Sequence, residues 1–250
     1  MISVFLVVQN EEKNIARALE SVKDFAEIVI VDSGSTDKTL EIARRYTDRI
    51  YHQAWLGMAR QKAFAKELCT HEWVLNLDGD EELTPALREE IQTLVAQNQF
   101  VGASLPFQEY FLGRKIHPKT KQNRHLRLFR KSLGEYGHER DHESLTINGP
   151  IAKLKAPVNH YGEFSIAVKV DKINRYSTSK ALDKFEAGKS SSLAKLLLVF
   201  PVMFFKSYVL RRNYLNGRRG FIGSVVNAFY AFLKEAKLYE QNVARDTESK

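Results

Sequence analysis

The sequence predicts an α/β domain built on a mostly parallel sheet with flanking helices, followed by a basic helical extension. Three observations carry this. Over the first hundred residues, apolar runs of strand length alternate four times with amphipathic runs of helical length. From about 100 to 160 the runs shorten and are separated by Gly, Pro and Asn. Beyond Phe164 the chain reads as helical to its end.

The elements follow in order. The run ISVFLVV (2–8) has no basic segment before it and acids soon after, so it reads as a first strand and not as a signal peptide. In EEKNIARALESV (11–22), Ile15, Ala18, Leu19 and Val22 fall on one helical face. EIVIVD (27–32) precedes STDKTLEIARRY, RIYH (49–52) precedes GMARQKAFAKELC, and WVLNLD (73–78) precedes TPALREEIQTLVAQ. In the last of these, Thr84 before Pro85 is a helix start, a hydroxyl cap followed by a proline at the first helical position. GASLPFQEYFLG, NRHLRLFR and SLTING are hairpin-like and close the sheet or form a flap. Helices are expected over 165–187, 193–212 and 221–241. The domains expected are 1–163, with halves 1–100 and 101–163, and the extension 164–250.

Charge is divided unevenly along the chain. Residues 1–150 carry 20 Lys and Arg against 22 Asp and Glu, whereas residues 151–250 carry 18 against 8. The basic character of the C-terminal part points to an anionic partner there. One cysteine, Cys69, excludes an intramolecular disulfide and a cysteine metal cluster, and fits a reducing compartment. Several motif classes are absent or fail. AGKSSS (187–192) has Asp183 where a phosphate-binding P-loop needs glycine, no G-x-S-x-G elbow exists, and VVQNEE stands where a dinucleotide fold would carry G-x-G-x-x-G.

One stretch demands an explanation. VLNLDGDEEL (74–83) runs from an apolar strand into Asp78, Asp80, Glu81 and Glu82. Such a cluster is costly to bury, because the carboxylates lose hydration and repel one another. It is either a solvated loop or a place for a cation. In parallel α/β sheets ligands bind beyond the carboxyl ends of strands, and Asp78 and Asp80, Asp32, and QNEE each follow such an end. Three strand ends thus present polar or acidic groups to one crevice.

Taken together, VVQNEEKNIARALESV, IVIVDSGSTDKTLEIA and WVLNLDGDEEL closely resemble the family 2 glycosyltransferases of the GT-A fold, over about residues 1–130. HESLTINGPIAKLKAPVNHYG and RRNYLNGRRGF resemble the subset that builds the lipopolysaccharide inner core, in particular β-1,4-glucosyltransferases acting on heptose. The resemblance implies inverting transfer from a UDP-sugar, with Mg²⁺ or Mn²⁺, to a lipid-linked or core oligosaccharide acceptor. It implies that Asn10 and Glu11 meet the nucleotide, that Asp32 contacts the uracil or ribose, and that Gln61 and Lys62 face the nucleotide. Ser33 departs from members that carry a second acid there. Asp78 and Asp80 are its D-x-D, which hold the metal, with Asp78 also touching the nucleotide sugar. The chemistry agrees, since a diphosphate leaving group is neutralised by a hard divalent ion on oxygen ligands. Inversion also needs a base for the acceptor hydroxyl, and Asp141, His142 and Glu143 are the candidates. Spacing does not separate Asp141 from Glu143, and the resemblance favours Glu143, whose alternative is an ion pair with Arg140 or Arg127.

His125 and His160 read as packed or capping histidines. The basic segment 117–131 alternates in HLRLFR and suits a strand with one face toward an anionic acceptor, so no nucleic-acid partner is expected. Leu196–Phe205 is ten apolar residues between Lys195 and Lys206, short of the ~20 needed to span a bilayer. It fits an interfacial helix, with Phe200, Phe204 and Phe205 inserted and the protein cytoplasmic, at the inner leaflet of the inner membrane. The competing reading is packing against the domain or a second subunit. The rival functions are a nucleotidyltransferase and, in a different class, a basic RNA-binding module.

Overall fold

The computed structural model describes residues 1–137 and 145–248. The chain forms two compact units: residues 1–110 with 122–162, and residues 111–121 with 163–250.

The first unit opens with β1 (Ile2–Val8), α1 (Ile15–Glu20), β2 (Glu27–Asp32), α2 (Thr39–Ala43), β3 (Ile50–His52), α3 (Met58–Glu67) and β4 (Trp73–Asn76). It continues with β5 (Glu81–Leu83), α4 (Pro85–Gln97) and the long β6 (Gly102–Phe111), and after the two-residue β7 (Arg114–Lys115) of the second unit resumes at β8 (Arg124–Arg130). β9 (Gly134–Tyr136) and β10 (Leu145–Ile147) form a separate antiparallel pair, and β11 (Ile151–Lys153) and β12 (Val158–Glu163) return to the main sheet.

That sheet runs in the order β3-β2-β1-β4-β8-β6-β12-β5. β3, β2, β1 and β4 are mutually parallel, and β8 lies antiparallel between β4 and β6. The parallel half is the expected consequence of strands joined by helices, and a sheet covered on both faces needs near-continuous apolar strands. All six residues of β2 are buried. Alternation sorts them: Val4, Leu6, Ile28, Ile30 and Leu75 join one core with Ile15, Leu19, Leu87 and Ile91, while Phe5, Val29, Val31 and Val74 join the other with Ala65 and Phe129. The predicted face of the first helix is the buried one, with Ile15, Ala18, Leu19 and Val22 all 1% exposed or less. Thr84 caps α4 as expected, its hydroxyl accepting from the backbone N–H of Leu87 at 3.3 Å. The α/β class and the parallel half of the sheet follow the alternating pattern, and the antiparallel pairings of β8 with β4 and β6 and of β12 with β5 make the sheet mixed.

The second unit is helical, with α5 (Ile166–Glu186), α6 (Leu193–Phe205) and α7 (Gly217–Glu248). Lys184 pairs with Glu235 between α5 and α7, and Lys237 Nζ donates to Asn174 O and Thr178 Oγ1 at 2.7 Å. α6 continues through a π-helical turn at Lys206–Leu210. Ser207, nearly fully buried there, meets Ser224 Oγ of α7 at 3.2 Å. One expectation needs correction. Phe204, stacked on Tyr208 and edge-on to Phe221, and Phe200 are both half-buried, so of the three phenylalanines only Phe205 belongs to the exposed face. That face is instead Leu197, Leu198, Val202, Phe205 and Val209, each at least 40% exposed. Counting uninterrupted apolar residues also underestimated the helix. Leu193–Leu210 forms 18 residues of mean hydropathy 1.8, long and apolar enough by length and composition to cross a membrane, because Lys195 and Lys206 interrupt the run without ending the helix.

Candidate active site

The acid cluster sits where β4 ends. β8 runs antiparallel to β4 with Leu75 opposite Leu128, so the next pair along places Arg127 beside Asn76. Arg127 is 5% exposed. Its guanidinium donates to Asn76 Oδ1 at 2.5 Å, to Asp78 Oδ2 at 2.7 Å and to Glu81 Oε1 at 2.7 Å. From α3, Lys62, 1% exposed, donates to the other Asp78 oxygen at 2.8 Å. Burial opposes ionisation of Asp78, but Arg127 and Lys62 outweigh it and hold the carboxyl far below the usual carboxylate range. Glu81 is 2% exposed and also accepts from the backbone N–H of Asp78 at 2.9 Å. Burial pushes its carboxyl up to about 8, with Arg127 acting against it and Asp78 adding to it.

Asp80 has a different partner. Its Oδ2 lies 3.3 Å from His160 Nε2, and the other ring nitrogen of His160 lies 2.6 Å from Glu109 Oε2. Burial lowers the affinity of this imidazole for its proton, but hydrogen bonds to the two carboxylates prevail and raise its pKa to about 11. His160 is therefore an imidazolium at neutral pH, where a packed or capping ring was expected. The approach is close enough that a side chain at Gly162 would meet Asp80 Oδ2 at 2.6 Å and His160 Nε2 at 2.7 Å. So the question posed by the acidic stretch has a structural answer. Lys62, Arg127 and His160 face the carboxylates and make their burial tolerable.

The two loops that follow β1 and β2 lie at the same edge of the sheet, since both strands run parallel to β4. Asn10, in the left-handed region with φ 55°, accepts from Thr36 N at 2.8 Å and donates its own N–H to Ser35 Oγ at 3.0 Å. Glu11 N donates to Thr39 Oγ1 at 2.7 Å, and its carboxylate accepts from Asn14 at 2.9 Å. The Glu11 side chain lies over Gly79, where an added Cβ would stand 2.9 Å from its Cγ. Burial raises the Glu11 pKa; the Asn14 hydrogen bond opposes this and the nearby charges of Asp80 and Asp78 add to it. Asp32 is 3% exposed and turns its carboxylate back to the N–H groups of Gly34, at 3.0 Å, and Ser35, at 3.1 Å.

The structure thus brings Glu11, Lys62, Asp78 and Asp80 to one strand end, with Asn10 beside them on the first loop. Gln61 is fully buried and works elsewhere. Its amide donates to Ser33 Oγ at 3.0 Å and to Gln53 O at 2.8 Å, and accepts from Leu56 N at 3.2 Å. Asp141 and Glu143 lie outside the described residues. Arg127, Glu81, Glu109, His160 and Gly162 were missed as site residues. Alternation gave no signal for Arg127: it sets Arg127 with His125 and Phe129, opposite Leu126 and Leu128, and the residue is buried because both faces of the sheet are covered.

Among the described residues no three His, Cys, Asp or Glu side chains converge to hold a metal ion by themselves. The oxygen-donor chemistry nevertheless fits Mg²⁺ or Mn²⁺, which use one or two carboxylates and fill their shell with water and phosphate oxygens. Asp80 suits that part better than Asp78, both of whose oxygens already accept from cations.

A sheet of this order, with helices on both faces and acids at the carboxyl edge of its parallel strands, is the GT-A fold. The profile of "Glycosyl transferase family 2" matches residues 3–152, and the chain belongs to that family. It is 34% identical over 253 residues to the lipopolysaccharide core biosynthesis glycosyltransferase LpsC of Rhizobium meliloti (strain 1021), covering 98% of this chain and 94% of that protein. It is 35% identical over 253 residues to an uncharacterized glycosyltransferase of Rickettsia bellii (strain RML369-C), with coverages of 96% and 86%. The crystal structure of S. aureus TarS 1-349 in complex with UDP-GlcNAc superposes with a TM-score of 0.52 at 13% identity, covering 98% of this chain and 92% of that one. Family membership decides for a glycosyltransferase over a nucleotidyltransferase or an RNA-binding module.

Proposed function

We propose that the protein moves glucose from UDP-glucose to a heptose of the lipopolysaccharide inner core, inverting the anomeric carbon. The observation that carries this is Asp78 and Asp80 at the carboxyl end of β4, held by Lys62, Arg127 and His160 beside the Glu11 loop. The similarity to LpsC over nearly the whole chain supports the acceptor class. Asp80 would hold the divalent ion, which when bound neutralises charge on the departing diphosphate. Lys62 and Arg127 fix the Asp78 carboxylate as an ionised acceptor for the nucleotide sugar. Asn10 and Glu11 shape the loop over the donor, Asp32 orders the loop that meets the nucleoside, and Gln61 keeps the loop before α3 in place. Glu143, or Asp141 two residues before it, takes the proton of the attacking hydroxyl.

The protein works at the cytoplasmic face of the inner membrane, where the exposed apolar face of α6 and its basic surroundings suit an anionic bilayer and a lipid-linked acceptor. Turnover with a panel of UDP-sugars and extracted core lipid tests the reading. A β-linked glucose on heptose is expected, and preference for another sugar overturns the donor assignment. In the same assay Glu143→Gln is expected to lower kcat by about 10²- to 10⁴-fold with donor affinity kept. Collapse only in Asp141→Asn moves the base to the aspartate.

A further inference from the structure

Trp55 is 53% exposed and Leu56 is 45% exposed, side by side in the loop between β3 and α3. A single exposed apolar side chain is ordinary. This pair differs because its backbone is tied down. Gln53 N donates to Asp32 O at 2.9 Å, and the buried Gln61 amide holds Gln53 O, Leu56 N and Ser33 Oγ together. Gly57, with φ 92°, turns the chain from this loop into α3, and its carbonyl accepts from Gln61 N at 2.9 Å. The loop is thus fastened to the end of β2 at Asp32 and Ser33. An indole held in water on a fastened loop, at the carboxyl edge of a parallel sheet, has the form of a preformed stacking surface. His52, 69% exposed in its side chain and 3.6 Å from Asp32 Oδ2, adds a polar edge beside it.

We propose that Trp55 stacks on the nucleobase of the donor, with Gln61 acting as the positioning residue that holds its loop. The inference rests on the reading of the strand-end crevice as a nucleoside-diphosphate site, and adds to it the part that receives the base. It also gives the fully buried Gln61 a task that direct contact with the nucleotide does not.

The chain has two tryptophans, and the second, Trp73, is 6% exposed with the Arg130 guanidinium 5.2 Å from its ring. Emission from Trp55 is therefore separated from that of Trp73 by difference against Trp55→Phe. The full-length protein is titrated with UDP and with pyrophosphate, each with Mg²⁺, following emission in parallel with calorimetry. UDP is expected to quench the emission and pyrophosphate to leave it unchanged. Trp55→Phe is expected to lose the quench while keeping UDP affinity within about threefold, because a phenyl ring still stacks. Trp55→Ala is expected to lose both, with Kd raised about 5- to 150-fold, the range for a lost base–aromatic stack. Since Trp55 is exposed, neither change is expected to move the unfolding midpoint, which is measured as the folding control. Calorimetric binding of UDP with unchanged emission, or wild-type affinity in Trp55→Ala, overturns the stacking role and leaves the transferase reading intact. No UDP binding by calorimetry overturns both. Quenching by extracted core lipid and not by UDP also overturns it, giving Trp55 to the acceptor.

Discussion

Arg127 donates to Asp78 at 2.7 Å across 49 positions of sequence, and the same nitrogen holds Glu81 at 2.7 Å. One guanidinium therefore serves one buried acid, Glu81, and one half-buried acid, Asp78. Removing it takes the guanidinium donor from Glu81 in a nearly solvent-free position and leaves Asp78 with Lys62. Arg127→Ala is expected to lower stability by about 1–3 kcal/mol, the cost of leaving buried acceptors without their donor, read as a shift of the urea midpoint. Arg127→Lys keeps a charge but not the fork, and an intermediate loss is expected. Wild-type stability in both variants would remove the guanidinium from its bridging role.

For the proposed metal, Asp80→Ala is expected to abolish turnover, whereas Asp78→Ala chiefly weakens donor binding. Their partners motivate the difference: His160 for Asp80, and Lys62 with Arg127 for Asp78. Full activity after EDTA treatment would rule out the metal role of the pair.

Gly162 lies where a methyl group would stand 2.6 Å from Asp80 Oδ2. Gly162→Ala is expected to push Asp80 and His160 apart, at a cost of about 1–3 kcal/mol from overpacking. Denaturation with and without UDP measures it. Unchanged stability would mean that the two side chains yield freely.

The His160 pKa is raised to about 11 by Asp80 and Glu109 against the effect of burial. A histidine bound more tightly to its proton when folded stabilises fully below its unfolded value of ~6.5, and that contribution declines as pH rises toward the folded value. Thermal unfolding without metal is therefore expected to show stability falling from about pH 6.5 to 11. His160→Gln is expected to flatten that fall. Parallel pH profiles for wild type and variant would count against the ion pairs.

Leu198, Val202 and Phe205 form the outward stripe of α6 at 60%, 58% and 54% exposure. Because they carry little packing, their joint change to serine is expected to leave the fold intact and release the protein from anionic vesicles. Equal co-sedimentation of wild type and variant would favour packing against another subunit.

The sequence by itself determined the alternation of strands and helices, and with it the parallel half of the sheet, because a two-residue and a 3.6-residue period are local properties of the chain. It also put Asp32, Asp78 and Asp80 at strand ends, since an acid that closes an apolar run has nowhere else to lie. The partners of those acids were decided by tertiary structure alone. Arg127 reaches Asp78 only because β8 inserts antiparallel beside β4, and His160 reaches Asp80 only because β12 pairs with β5. Strand order between distant segments leaves no local pattern to read. The compensation of a buried charge is likewise a property of the pair, and neither residue carries it alone. Gln61 shows the same division, since its position was legible but its buried amide, turned to the loop of Trp55, is fixed by the packing of α3.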